Sequence, residues 1–175
     1  MKKFIGVFLA IILIISQSTL VFADNNSANL NLKCKSAVLM DVTSGQVLYE
    51  KDCHEKLPPA SVTKVMTMLL ICEAIESGKI KLTDEVTISE TASSMGGSQI
   101  FLEPNETQTV DTLLKGIAVA SANDACVAMA EYIGGSVEEF VDMMNNKAKE
   151  LGMKDTNFVN TNGLPVDNHY TSAYD

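Results

Sequence analysis

The stretch Pro58-Pro59-Ala60-Ser61-Val62-Thr63-Lys64, followed by Val65-Met66-Thr67-Met68-Leu69-Leu70-Ile71, decides how this chain is read. The two prolines stop any strand and force extended backbone up to a helix that opens at Ser61. Residues three apart on a helix share a face, so the Lys64 amine lies over the Ser61 hydroxyl. A serine is a weak nucleophile until a neighbouring base takes its proton, and this spacing suits a Ser–Lys nucleophile. The helix N-terminus adds unpaired N–H groups and a positive dipole that can hold an anionic oxygen. S-x-x-K alone recurs by chance, however, and a first-turn lysine can equally snorkel to solvent.

Working outward, residues 61–77 carry apolar side chains on nearly every side, among them Val62, Val65, Met66, Leu69, Leu70, Ile71, Ala74 and Ile75. Such a helix belongs in the middle of a domain, and Gly78 ends it. Upstream, residues 36–42 and 46–51 read as a hairpin closed by Thr43-Ser44-Gly45. Downstream, Val86-Thr87-Ile88 is strand-like and residues 91–105 read as loop. A helix follows from about Thr109 to Val119, broken by Ser121-Ala122-Asn123-Asp124, residues that prefer caps and turns. A second helix runs from about Asp124 to Ile133 and stops at Gly134-Gly135. Ser136 and Glu139 form a capping box for a third, with Phe140, Val141, Met144, Ala148 and Leu151 on one face and Gly152 at its end. Asn157-Phe158-Val159 is extended, and turns dominate the rest.

The 175 residues are 46% hydrophobic and 20% charged, ordinary values for one globular domain. The net charge of -9 disfavours nucleic acid as a partner, because phosphate contacts need a basic patch. Residues 1–23 read as a signal peptide: basic Lys2-Lys3, twelve apolar residues from Phe4 to Ile15, then Val21-Phe22-Ala23 before the cleavage point. Twelve are too few to span a bilayer comfortably, which takes roughly 20; a retained anchor is the alternative. Residues 24–35 are a polar linker, and the protein is expected to be exported. Without Lys2 and Lys3, 11 basic residues stand against 22 acidic ones, a charge of -11. Cys34 and Cys53 flank the hairpin, which leaves open either a disulfide or two free thiols. Cys72 and Cys126 sit in helical patterns and are read as small buried hydrophobes. There is no CxxC, and His54 and His169 form no ligand pattern, so neither a metal site nor a cofactor is expected.

A second candidate is Ser121-Ala122-Asn123, an S-x-N placed where a turn between helices projects both side chains. The tripeptide alone says little, because Ser27-Ala28-Asn29 repeats it in the linker. With Ser61-Val62-Thr63-Lys64 it matches two of the three motifs of the penicillin-recognising serine enzymes. Ala37-Val38-Leu39-Met40-Asp41, Leu48-Tyr49-Glu50-Lys51, the stretch from Pro59 to Thr67 and Leu113-Leu114-Lys115-Gly116 extend the match. So do Val119 to Cys126, Phe140 to Gly152, Asn162-Gly163-Leu164 and His169-Tyr170. Over residues 36–175 the chain resembles the serine-type D-alanyl-D-alanine carboxypeptidases, the low-molecular-mass penicillin-binding proteins.

That resemblance implies an α/β (α+β) fold of the β-lactamase/penicillin-binding transpeptidase-like type, represented by its N-terminal hairpin and helical part. It implies that Ser61 attacks the penultimate D-alanine carbonyl of a peptidoglycan stem peptide ending in D-Ala-D-Ala. Lys64 would take the serine's proton, Ser121 would relay it to the leaving amine, and Asn123 would bind the substrate backbone. β-Lactams would be inhibitors. The family's third motif, K-T-G, is absent from this sequence. Residues 36–175 are therefore expected to be the N-terminal part of a catalytic domain that continues past Asp175, and to be inactive alone. Any membrane association would also come from beyond Asp175. A class A β-lactamase-like hydrolase is the nearest alternative, but it wants S-D-N and a later deacylating glutamate. A non-catalytic penicillin- or peptidoglycan-binding module would be favoured by substitution at Ser61 or Lys64, and neither is substituted. Terminal sequencing of the exported protein should find Asp24 first; Met1 would refute the leader.

Overall fold

In the first hairpin the turn is organised by a carboxylate as well as by glycine. Strand β1 (Ala37–Met40) pairs antiparallel with β2 (Val47–Lys51), Ala37 opposite Lys51 and Leu39 opposite Tyr49. Asp41 accepts hydrogen bonds from the Ser44 N–H and hydroxyl, both at 2.7 Å. Those bonds hold its carboxyl below the usual range, and Gly45 takes a φ of +71°. The computed structural model describes residues 30–175, so the leader and the first part of the linker lie outside the described residues.

The prolines lead into a 3-10 turn, Ala60–Val62, and then helix α1 (Thr63–Glu76), which Gly78 ends at φ +74°. Helix α1 is not buried on every side. Thr63, Lys64, Met66, Thr67, Leu70, Ile71 and Ala74 face the core, whereas Val62, Val65 and Cys72 are exposed. Thus, of the two cysteines in helices, Cys126 is a buried hydrophobe and Cys72 is not. All four cysteines are free: Cys34 is exposed, and buried Cys53 lies near the Glu50 carboxylate instead of a second sulfur.

The central helix is α4 (Asn123–Gly134), in which Asn123, Asp124, Ala125, Cys126, Val127, Ala128, Met129, Ala130 and Ile133 are all buried. It packs against α1, α3 (Val110–Ala120) and α5 (Val137–Glu150). Its alanines let those neighbours approach closely, which hydrophobicity alone does not signal. The stretch expected to be loop contains helix α2 (Glu90–Ser93), capped by Ser89, which accepts from the Ala92 N–H. Just beyond, β4 (Thr107–Thr109) pairs with β3 (Glu85–Thr87) and buries Val86. A polar Thr-Gln-Thr strand has no apolar alternation by which to be recognised. Helix α3 is capped by Thr109 and α5 by Ser136, which accepts from the Glu139 N–H at 3.1 Å.

After α5 the chain turns back without regular structure, tied by isolated pairings of Leu57 with Thr171 and Asn157 with Tyr170. The first of these anchors the last residues to the segment that leads into Ser61. No described helix is long and apolar enough to cross a membrane. If α4 is the tight centre, enlarging Ala128, which is 1% exposed, will overpack it. Ala128→Leu should cost about 1–3 kcal/mol in urea unfolding followed by circular dichroism.

Candidate active site

Ser61 sits on strained backbone. Ala60, just before it, has φ +47°, a left-handed conformation that a residue with a side chain adopts only when its surroundings impose it. The imposing neighbour is Gly163. A Cβ there would lie 1.8 Å from the Ala60 carbonyl oxygen, and Gly163 itself has φ +89°. Only glycine lets the Asn162-Gly163 turn press against the backbone leading to the serine.

One turn into the helix, Lys64 Nζ lies 3.2 Å from Ser61 Oγ and donates to the Asn162 carbonyl oxygen at 2.7 Å. Lys64 is 3% exposed, so it does not snorkel to water. No carboxylate pairs with it among the described residues. Burial pushes its pKa below the ordinary lysine value. Burial in turn pushes Cys126 up to about 12, so that thiol stays protonated. The amine is thus biased toward its neutral form, the one able to accept a proton.

Ser121 reaches the same oxygen from another helix end. It caps the end of α3 in a left-handed conformation, φ +57°, and its Oγ donates to Ser61 Oγ at 3.1 Å. The structure therefore brings Ser61, Lys64 and Ser121 together although 60 residues separate the two serines. Asn123 lies beside this group without bonding to it. Its side chain donates from Nδ2 to the Gly96 carbonyl and its backbone N–H to that of Ser98, both at 2.7 Å. A Cβ on Gly97 would come 2.7 Å from that Nδ2, so this loop too is shaped around glycine.

Several supporting residues were not singled out by the sequence reading. Asp124, fully buried, accepts from the N–H groups of Ile100 and Leu102, each at 3.1 Å, and straps that loop to the start of α4. An aspartate in a helical first turn is its only sequence signal. Asn160 Oδ1 accepts from the N–H of Gly163 at 2.7 Å, and Thr67 donates to the Thr161 carbonyl at 2.6 Å. Together they fix the turn that supplies the Asn162 carbonyl.

Ser61, Lys64 and Ser121, the residues of the S-x-x-K and S-x-N motifs, thus meet at one serine oxygen on a scaffold of hairpin and packed helices. The chain belongs to the D-alanyl-D-alanine carboxypeptidase family, Peptidase S11, whose profile matches residues 23–175. It is 54% identical to D-alanyl-D-alanine carboxypeptidase DacF of Bacillus subtilis over 178 residues, covering all of this chain and 46% of DacF. It is 41% identical to DacA of Escherichia coli K12 over 150 residues, 82% of this chain and 37% of DacA. The chain thus spans less than half the length of these relatives. Among solved structures, DacD of Francisella tularensis superposes with a TM-score of 0.81 at 39% identity, over 85% of this chain and 36% of that one. Penicillin-binding protein D2 of Listeria monocytogenes in its ampicillin-bound form gives a TM-score of 0.72 at 29% identity, over 83% of this chain and 59% of that one. These neighbours bear out the mixed fold expected above.

The Gly163 contact can be tested against a control. Gly152 also has positive φ, but a Cβ there meets nothing. Gly152→Ala should cost about 1–2 kcal/mol, the left-handed penalty alone. Gly163→Ala should cost clearly more in the same urea titration, because its methyl meets backbone.

Proposed function

We propose that the protein removes the terminal D-alanine from peptidoglycan stem peptides, through an acyl-enzyme on Ser61. The observation that carries this reading is the convergence of Lys64 Nζ and Ser121 Oγ on Ser61 Oγ, at 3.2 and 3.1 Å. Family membership supplies the substrate class. The activity is proposed of the whole protein, because the chain spans less than half the length of the curated relatives it matches, and residues 36–175 are proposed as the N-terminal part of its catalytic domain.

In the proposed reaction Ser61 Oγ attacks the carbonyl carbon of the penultimate D-alanine and neutral Lys64 takes the hydroxyl proton. Ser121 Oγ then gives its own proton to the amine of the departing D-alanine as the C–N bond breaks, and takes a proton in turn from the Lys64 ammonium, which returns the lysine to its neutral form. Water hydrolyses the ester and frees Ser61. The Asn162 carbonyl steadies the amine throughout and, being neutral, does not hold it protonated as a carboxylate would. Asn123 would receive the substrate's backbone N–H on its amide oxygen, because its nitrogen is engaged by Gly96. β-Lactams would acylate the same serine, a reading supported by the likeness to the ampicillin-bound Listeria protein. A leader over residues 1–23, as the sequence suggests, would make the extracytoplasmic face the place of action, with cell-wall remodelling as the proposed role. No described carboxylate bonds to Ser61 or Lys64, so nothing here favours a glutamate-assisted β-lactamase.

Release of D-alanine from a diacyl-lysyl-D-alanyl-D-alanine peptide tests the proposal. Ser61→Ala should abolish release, and Ser121→Ala should slow it by roughly 10²–10⁴, the usual weight of a proton-transfer group. Undiminished release by Ser61→Ala would overturn the assignment.

A further inference from the structure

We infer that His169 is a positioning residue for the Ser61–Lys64 pair: its neutral ring clamps residues 159–163 to the first turn of α1, and protonation releases that clamp. This rests on the reading of Ser61 as the acylated serine and Lys64 as its base.

The geometry dictates the tautomer. The Val159 backbone N–H points at His169 Nδ1 from 2.9 Å, and a backbone N–H can only donate, so Nδ1 must be the bare, accepting nitrogen. The hydrogen then sits on Nε2, 2.7 Å from Thr63 Oγ1, to which it donates. The ring is 6% exposed, with the Phe158 ring packed against it edge-on at 5.9 Å. One neutral imidazole thus joins the residue next to Lys64 to the first residue of the loop. That loop delivers the Asn162 carbonyl to Lys64, the Thr161 carbonyl to Thr67 and Gly163 to the strained Ala60 backbone.

A second proton would go onto Nδ1 and set two N–H groups facing each other at the Val159 contact. The loop must then withdraw or the ring must turn. Either motion loosens the carbonyl that steadies Lys64 and the glycine that supports Ala60. The elements around the ring present few charges. Thr63 from α1, Phe158 and Val159 from the loop, and Pro58 and Ala60 from the segment before Ser61 are uncharged. Lys64 turns its amine to Ser61 and Asn162, and Lys56 lies over the Tyr170 ring. Asp167 lines the same hollow and is exposed. Burial lowers the ring's pKa from its ordinary value, which favours the neutral, clamping form at neutral pH. Because the folded pKa lies below the unfolded one, the clamp's contribution is full above the unfolded value. It is lost as pH falls through the folded value.

Glutamine offers the same pattern without titrating: its Nε2 donates to Thr63 and its Oε1 accepts from Val159. The test is the second-order rate of acylation by a fluorescent penicillin, measured on the whole protein from about pH 5 to about pH 8. Wild type, His169→Gln and His169→Leu are compared, together with hydrogen exchange at the Val159 amide. Wild type and His169→Gln should agree within about threefold at the alkaline end. One pH unit below the ring's midpoint wild type should be slower by roughly tenfold, because one further proton then opposes the reaction. His169→Leu should be slow at every pH, and the Val159 amide should lose protection in acid in wild type only. Superimposable profiles for wild type and His169→Gln would overturn the inference, as would a Val159 amide in wild type whose protection ignores pH. No labelling of wild type at any pH would instead overturn the reading of Ser61, and the inference with it. The amide result tells these failures apart, because it needs no acylation.

Discussion

A lysine amine closed off from water, with a hydroxyl and a backbone carbonyl as its partners, is the constraint on which the rest of this structure depends. A buried ammonium without a carboxylate is costly, and the ordinary response is a lowered pKa. Lys64 shows that response, with burial as the leading cause. A serine placed beside such an amine has a base available that water would otherwise have protonated. The Asn162 carbonyl orients the amine without adding the negative charge that would keep it protonated.

Three separate parts of the chain must agree for this to hold. The 3-10 turn and α1 carry Ser61 and Lys64; the left-handed cap of α3 turns Ser121 toward them; the returning chain after α5 closes the amine off. The last part has no regular structure, so side chains fix it: Asn160 holds Gly163, Thr67 holds Thr161, and His169 bridges Thr63 and Val159. Strain at Ala60 is tolerated because Gly163 packs directly against it. The buried Asp124 does comparable work on the other side, where it strings the N–H groups of Ile100 and Leu102 to the start of α4.

The long helices were legible from sequence because their caps and periodicity are local signals: Ser136 at the start of α5 and Gly78 after α1 lie where the pattern puts them. What sequence misjudged depends on packing. Helix α1 is richer in large apolar residues, yet α4 takes the centre because its alanines permit close approach on all sides. Strand β4 escaped notice because Thr-Gln-Thr is polar and buries little. The Ser61 and Lys64 pair was visible as a spacing, but its burial was not. The carbonyl that holds Lys64 comes from 98 residues away in a stretch without periodicity. Asn123 was visible as part of S-x-N, whereas the bond that commits its nitrogen to Gly96 appears only in three dimensions.

If Lys64 serves as the base, its own titration is the most direct measurement. The Lys64 side-chain nitrogen, followed by heteronuclear NMR against pH, should lose its proton with a midpoint below the ordinary lysine value of about 10.4. A midpoint at or above that value would show an amine held as the cation at working pH. That would contradict the assignment of Lys64 as the group that takes the Ser61 proton.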